Sequence, residues 1–145
     1  MTDLIEQGAS VNDLLSVMRD MPQYEPETKH IFHGGMYCRS VFRHAGVTII
    51  GRVHKKEHFY CVMSGTIVVT ADGKEPERIT APAIITSKPG TRRAVYAETD
   101  ALCVTFHRID SSDIAEVEDE LVEPEESPIF APGNVLMHQP REALK

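Results

Sequence analysis

The sequence predicts one all-β domain, a sandwich or closed barrel of short strands, with a short helix on each side and an extended C-terminal tail. Three observations carry this. Between residues 31 and 109 the β-branched and apolar residues gather in six short runs. Turn-forming residues divide those runs about every ten positions, the spacing of sandwiches and barrels. Nine Gly and nine Pro in 145 residues favour many turns over long helices, and that length suits one domain with a full core.

Taken in order, "SVNDLLSVMRDMP" reads as an amphipathic helix. Ser10 caps it, Val11, Leu14, Leu15, Met18 and Met21 share a face, and Pro22 stops it. "QYEPETKH" reads as a linker. The strand runs are "IFHGGMYCRSVF", "GVTIIGRVH", "HFYCVMSGTIVVTA", "RITAPAIITS", "RRAVYA" and "ALCVTFHRI". The turns are Gly34-Gly35, His44-Ala45-Gly46, Asp72-Gly73, Lys88-Pro89-Gly90 and Glu98-Thr99-Asp100, of which Asp72-Gly73 is the clearest hairpin signal. "SSDIAEVEDELVEP" reads as a second capped helix, with Ile114, Val117, Leu121 and Val122 on one face and Pro124 at its end. The tail holds two apolar clusters, Ile129-Phe130 and Val135-Leu136-Met137, suited to docking on this domain or on a neighbour. The expected division is residues 1–29 (helix and linker), 30–110 (barrel) and 111–145 (acidic helix and tail).

Charge excludes some functions. A net charge of −7 argues against nucleic-acid binding, which needs a broad basic surface. Nine acids and no Lys or Arg lie between Asp110 and Glu126, which reads as a solvated helix face and leaves the middle of the chain near neutrality. No run is long enough to span a membrane, and "MTDLIEQGAS" has acids and no apolar signal region. Cys38, Cys61 and Cys103 lie far apart in apolar runs, as free thiols do in a reducing compartment. A cytoplasmic, non-secreted protein is expected.

Residues 46–97 carry two motifs. The first has Gly46 and Gly65 at its ends with Arg52, His54 and His58 between. The second is "KPGTRRAVYA", with Pro89, Gly90, Arg93 and Ala97. They resemble the paired motifs of the cupin superfamily, Gly-x5-His-x-His-x3–4-Glu-x6-Gly and Pro-x-Gly-x2-His-x3-Asn. Arg52 stands at the first His position, His54 at the second, His58 at the Glu position and Arg93 at the second-motif His. The resemblance implies a single cupin-type β-barrel or jelly roll. The elements "VHKKEH", "SGTIVV", "APAIITSKPGTRRAVYA" and "VTFH" further resemble small cupin-like proteins of bacteriophage and prophage genomes. That implies a host-cytoplasmic or virion location.

Strand alternation puts Thr48, Ile50, Arg52 and His54 on one face, His58, Tyr60 and Val62 on another, and Arg93, Val95 and Ala97 on a third, with Glu57 turned away from His58. The cupin arrangement implies that "ALCVTFHRI" runs antiparallel beside "HFYCVM", bringing His107 toward His58. Three readings follow. His54, His58 and His107 are metal-ligand candidates for Zn, Fe, Mn or Ni, since three neutral imidazoles suit a divalent first-row ion. Arg52 and Arg93 are candidates for binding a small anionic ligand or cofactor, since the guanidinium fork pairs with carboxylate or phosphate. His54 or His58 as base, with Tyr60 or Tyr96 as acid, would suit proton abstraction beside a carbonyl. "VHKKEHFYCVMSG" partly resembles cupin sugar-nucleotide ketoisomerases, which implies an isomerase or epimerase. The phage resemblance implies either a virion structural or accessory protein, with the barrel as an assembly module, or a binder of a host anionic metabolite. A homo-oligomer, or an assembly partner held through the terminal arms, is also expected.

Overall fold

In the computed structural model, which describes residues 10–23, 25–71, 74–124, 130–133 and 135–136, Gly34 and Gly35 take φ of 58° and 76°. Two successive positive-φ residues make the tight turn that matches the twist of its flanking strands. They join β1 (Glu27–His33) to β2 (Met36–Arg43), whose ladder runs from Glu27↔Phe42 to His33↔Met36. β1 thus starts inside the stretch expected as linker. The long β2 presents backbone donors and acceptors along its whole length, and residues 27–30 satisfy them.

β3 (Thr48–Ile50), β4 (His58–Ser64), β5 (Thr66–Ala71), β6 (Glu77–Thr80), β7 (Ala83–Ser87), β8 (Arg93–Ala97) and β9 (Ala101–Arg108) complete two antiparallel sheets. One has the order β1-β2-β9-β4-β7 and the other β3-β8-β5-β6. Tyr60, Val62, Ala101 and Cys103 from the first pack on Ile67, Val69, Ile79 and Val95 from the second. The all-β jelly roll expected from the sequence is the fold observed. Its full burial of Val62 and Ile67 is worth ~1.5–3 kcal/mol per side chain. The Asp72-Gly73 turn lies outside the described residues.

β3 ends earlier than expected. The backbone of residues 53–55 pairs instead with the segment after the second helix: Lys55 N–H donates to Leu121 O at 2.7 Å and Glu123 N–H to Val53 O at 2.8 Å. Arg52 and His54 are therefore on a loop, and strand parity does not set their direction.

α1 (Val11–Arg19) is capped by Ser10, whose hydroxyl accepts from Asp13 N–H at 3.1 Å. It buries Val11 and Leu14, and Leu14 packs on Val68 and Ala94 of the four-stranded sheet. Met21, expected on the buried face, lies past the helix end and is exposed. α2 (Ile114–Leu121) is capped by Asp113, which accepts from Ala115 and Glu116 N–H. Val117 and Leu121 pack on Tyr37 and Ile109 at one end of the barrel. β10 (Phe130–Ala131) pairs with β11 (Val135–Leu136), and Gly133 N–H donates to the Glu118 carboxylate. Of the tail's apolar clusters, Ile129 and Met137 lie outside the described residues. No helix among the described residues is long and apolar enough to cross a membrane.

Gly65 carries the chain from β4 to β5, from one sheet to the other. Its φ is 81°, and a Cβ there would lie 2.1 Å from Asp100 O and 2.8 Å from Ala101 Cα. Backbone cannot retreat as a flexible side chain can. Gly65→Ala is expected to destabilise by at least ~2 kcal/mol, read as a lowered urea midpoint; an unchanged midpoint would contradict this account of the crossover.

Candidate metal centre in an arginine-lined cavity

The antiparallel ladder of β4 with β9 pairs Phe59 with Phe106 and Tyr60 with Thr105. His58 and His107 are next along, on the inward side, with ring centroids 4.6 Å apart. His54 comes from the loop, held by its bridge to Val122, and its ring centroid lies 4.3 Å from His58 and 5.7 Å from His107. One ring nitrogen from each lies within 4.8 Å of the others. A tetrahedral ion with bonds of ~2.1 Å wants nitrogens ~3.4 Å apart, so small ring rotations would suffice.

Two of the rings have outer partners. His58 Nδ1 faces Lys56 O at 3.5 Å, His107 Nε2 bonds Thr105 Oγ1 at 2.8 Å, and Tyr37 stacks on His107 at 5.6 Å. Tyr37 in turn bonds His30 Nδ1 at 2.5 Å and stacks on Phe32. Such outer partners fix ring orientation, as they do around metal-binding histidines generally. Burial, then the neighbouring His58 and Arg39, push the His54 pKa down to about 3. Burial, then His58 and His54, bring His107 to about 3. His58 is lowered by burial, with Arg93 adding to it. Neutral imidazole is the form that ligates a metal.

Beneath the rings lies a cavity of about 140 Å³. Arg39, Arg43, Arg52, Arg92 and Arg93 line it, and Glu118 is the one carboxylate among its described lining residues. Arg93 Nη1 donates to Ser87 Oγ at 2.6 Å, and its Cζ lies 5.7 Å from the Tyr60 ring centroid. Arg52 is at the rim, where its Nη2 donates to Glu123 O at 2.5 Å. Tyr60 is buried and lines the cavity, and burial pushes its pKa up to about 12 against the pull of Arg43.

The structure thus brings His54, His58, Arg52, Arg93 and Tyr60 around one space, with His107 stacked against the first two. Tyr96, the other acid candidate, is not there: it packs with Leu14 and Val68 on the outside of the small sheet. Glu57 is exposed and outside the cavity lining, as expected. The sequence reading missed Arg39, Arg43 and Glu118. In "MYCRSVFR", Tyr37, Arg39, Val41 and Arg43 recur at every second position, and two arginines on an otherwise apolar face were the available signal. Glu118 was read as part of a solvated acidic face, yet α2 turns it inward. Lys56 meets Glu120 at 2.7 Å and Lys55 Nζ donates to Asp119 O, so this helix lies against the basic loop and not in open solvent.

No protein-family model matches the sequence, and no curated protein matches it. Among solved structures the chain is similar to a cupin superfamily protein of Desulfitobacterium hafniense, with 10% identity over 61% of this chain and 81% of that one and a TM-score of 0.52. It is similar to a DMSP lyase of Ruegeria pomeroyi, with 14% identity over 61% of this chain and 49% of the lyase, at 0.53. An acetylacetone dioxygenase of Acinetobacter johnsonii matches at 11% identity over 60% of this chain and 62% of that one, at 0.51. The chain therefore spans about half the length of the lyase and less than two thirds of the dioxygenase. These likenesses show the fold, a cupin-type jelly roll.

Histidines that ordinarily titrate near 6.5 are held near 3 at two of these positions. The unfolded chain then binds more protons than the folded one between those values, so stability rises with pH across the window and is lost as pH falls through it. Thermal melts of metal-free protein should show Tm falling as pH drops below about 6.5, with a shallower fall in a His54→Gln/His107→Gln double variant. Equal slopes would contradict the buried, neutral state of the rings.

Proposed function

We propose that the chain is a metal-binding cupin-fold protein acting on or binding a small molecule, with His54, His58 and His107 holding a divalent first-row ion such as Zn, Fe, Mn or Ni. The observation that carries this reading is the convergence of three inward imidazoles, two of them buried, with ligand atoms within 4.8 Å. When bound, such an ion supplies Lewis acidity toward a ligand in the cavity. Arg93 and Arg52 line the cavity, and the segment after α2 is tied to Arg52 through Glu123 O.

The acid–base alternative, an isomerase or epimerase with a histidine base, is the weaker use of these groups. A general base works best with a pKa near the working pH. His54 near 3 is a feeble base at neutrality, and Tyr60 near 12 is a reluctant acid. A virion assembly role rests on the sequence elements quoted above. It has no use for an arginine-lined cavity beside a histidine cluster, which is why the binding reading is preferred. The arms that would mediate assembly fall largely on residues 1–9 and 125–145, mostly outside the described residues. The described surface does offer an apolar row across the five-stranded sheet, Ile31, Cys38, Phe106 and Phe59 in register, with Ile31 53% and Phe59 52% exposed. A second copy of this chain is the partner that such a row would suit.

Elemental analysis of protein purified without chelator or nickel resin should find about one ion per chain. His107→Ala should lose most of it, and adding zinc at about a hundredfold over its Kd should stabilise the metal-free wild type by ~2.7 kcal/mol. Metal content near zero, together with no stabilisation by added zinc, cobalt or nickel, would remove the metal reading.

A further inference from the structure

Three features outside the histidine cluster invite a role: the exposed apolar row of the large sheet, the shallow cleft between β1 and the tail hairpin, and the cationic floor of the barrel. The last goes furthest. Arg43 is 9% exposed, and its guanidinium has only the Tyr60 hydroxyl and the Cys103 thiol beside it, with no carboxylate: its Nε and Nη1, like Arg39 Nε, are buried and meet no well-formed acceptor. The remaining arginines of the cavity are engaged: Arg52 with Glu123 O, Arg92 with Gly51 O, Arg93 with Ser87 Oγ. Glu118, the one acid among the described lining residues, already accepts from Gly133 N–H. A buried guanidinium without a counter-charge or full hydrogen bonding is costly. An anion inside the cavity removes that cost.

We propose that Arg43 and Arg39, with the Tyr60 hydroxyl, form a carboxylate subsite in the deep half of the cavity, for a short organic acid. The choice of an organic acid follows from the walls. Val41, Ile50 and Val95 line the same space, so the ligand carries an apolar body as well as a charge. Arg39, Thr105 and Tyr60 stand opposite one another across β2, β9 and β4, one inward row below His107 and its partner Tyr37. Successive inward residues on a strand are ~6.8 Å apart. An acid of about four carbons, its carboxylate at Arg39 and Tyr60, reaches back to the histidine row over that distance, and Arg43, two inward rows further along β2, meets the same Tyr60 hydroxyl through its long side chain. A cavity of about 140 Å³ is small beside the ~300–1,000 Å³ of drug-sized sites, which also points to a short chain. The orientation of the far end toward the histidines rests on the metal reading above; the carboxylate subsite itself does not.

The test uses metal-free full-length protein, so that its outcome is independent of the metal. Thermal melts are run with butyrate, the neutral isostere butyramide, inorganic phosphate, and chloride at matched ionic strength. Butyrate should raise Tm by about 3 °C or more over chloride, and butyramide should not. Arg43→Met should abolish the butyrate response. It should melt no lower than the wild type without ligand, and it should keep the zinc stoichiometry of the wild type. If Arg43→Met does not fold, Arg43→Lys serves: the charge stays, the planar fork goes, and butyrate affinity should fall about tenfold. A butyrate response equal to chloride, or one unchanged in the Arg43 variant, overturns the proposal. A larger response to phosphate, lost in the same variant, overturns the organic-acid assignment. If butyrate binds and zinc does not, the metal reading fails while the subsite stands.

Discussion

The pairing of β4 with β9 is the constraint on which the site depends. Phe59↔Phe106 and Tyr60↔Thr105 put every second residue of both strands into the barrel. The same register turns Phe59 and Phe106 out and His58, Tyr60 and His107 in. A slip of one residue would reverse all five. It would bury two phenylalanines where the arginines stand and expose the rings to water. Fold and site are therefore one choice of register, set by the apolar lower rows Val62, Cys103 and Ala101, which have no other place to go.

The upper end of the barrel is closed by α2 and the residues after it. Leu121 O and Val53 O tie the two segments together, and the His54↔Val122 bridge sits at the junction. His54 owes its position to that contact on one side and, on the other, to its backbone bonds with Thr91 and Gly90 before β8. The acidic helix thus has two jobs. Its apolar side packs on Tyr37 and Ile109, and its carbonyls and carboxylates meet Lys55, Lys56 and Arg52. Exposed ion pairs of this kind are each worth only ~0–1 kcal/mol. The backbone pairing and apolar packing therefore hold the loop, and the charges refine it.

Much of this was legible in the sequence. Short β-branched runs punctuated by Gly and Pro led to the jelly roll, and Ser10 marked the start of the first helix. The approach of His107 to His58 followed from the cupin resemblance, which supplied a strand order that no local pattern contains. What stayed hidden was long-range. Period-two reasoning extended β3 through His54, but after Ile50 the chain is shared between two neighbours: Gly51 and His54 bond the backbone of Arg93, Thr91 and Gly90, while Val53 and Lys55 bond the end of α2 and the residues after it. Arg39 and Arg43 were visible as letters. Their inward direction follows from β2 pairing with β9, a contact some sixty residues distant in sequence. Glu118 was hidden for a related reason, since the side of α2 that faces the barrel is decided by Tyr37 and Ile109.

The charges inside the barrel fit one another only when taken together. Arg39 and Arg93 depress the histidine pKa values, and by the same repulsion they oppose a divalent ion at those rings. Burial opposes the charge on Arg39 itself, whose pKa is lowered despite Tyr37 and Glu118. Neither an ion at the histidines nor the charge on Arg39 would be comfortable alone. A carboxylate between them is attracted by both, and it reduces the repulsion that each exerts on the other. Thermodynamic linkage makes such help mutual: whatever affinity the anion lends the ion, the ion lends the anion by the same factor. The proposed carboxylate would bring negative charge to a lining in which, among the described residues, one acid faces five arginines.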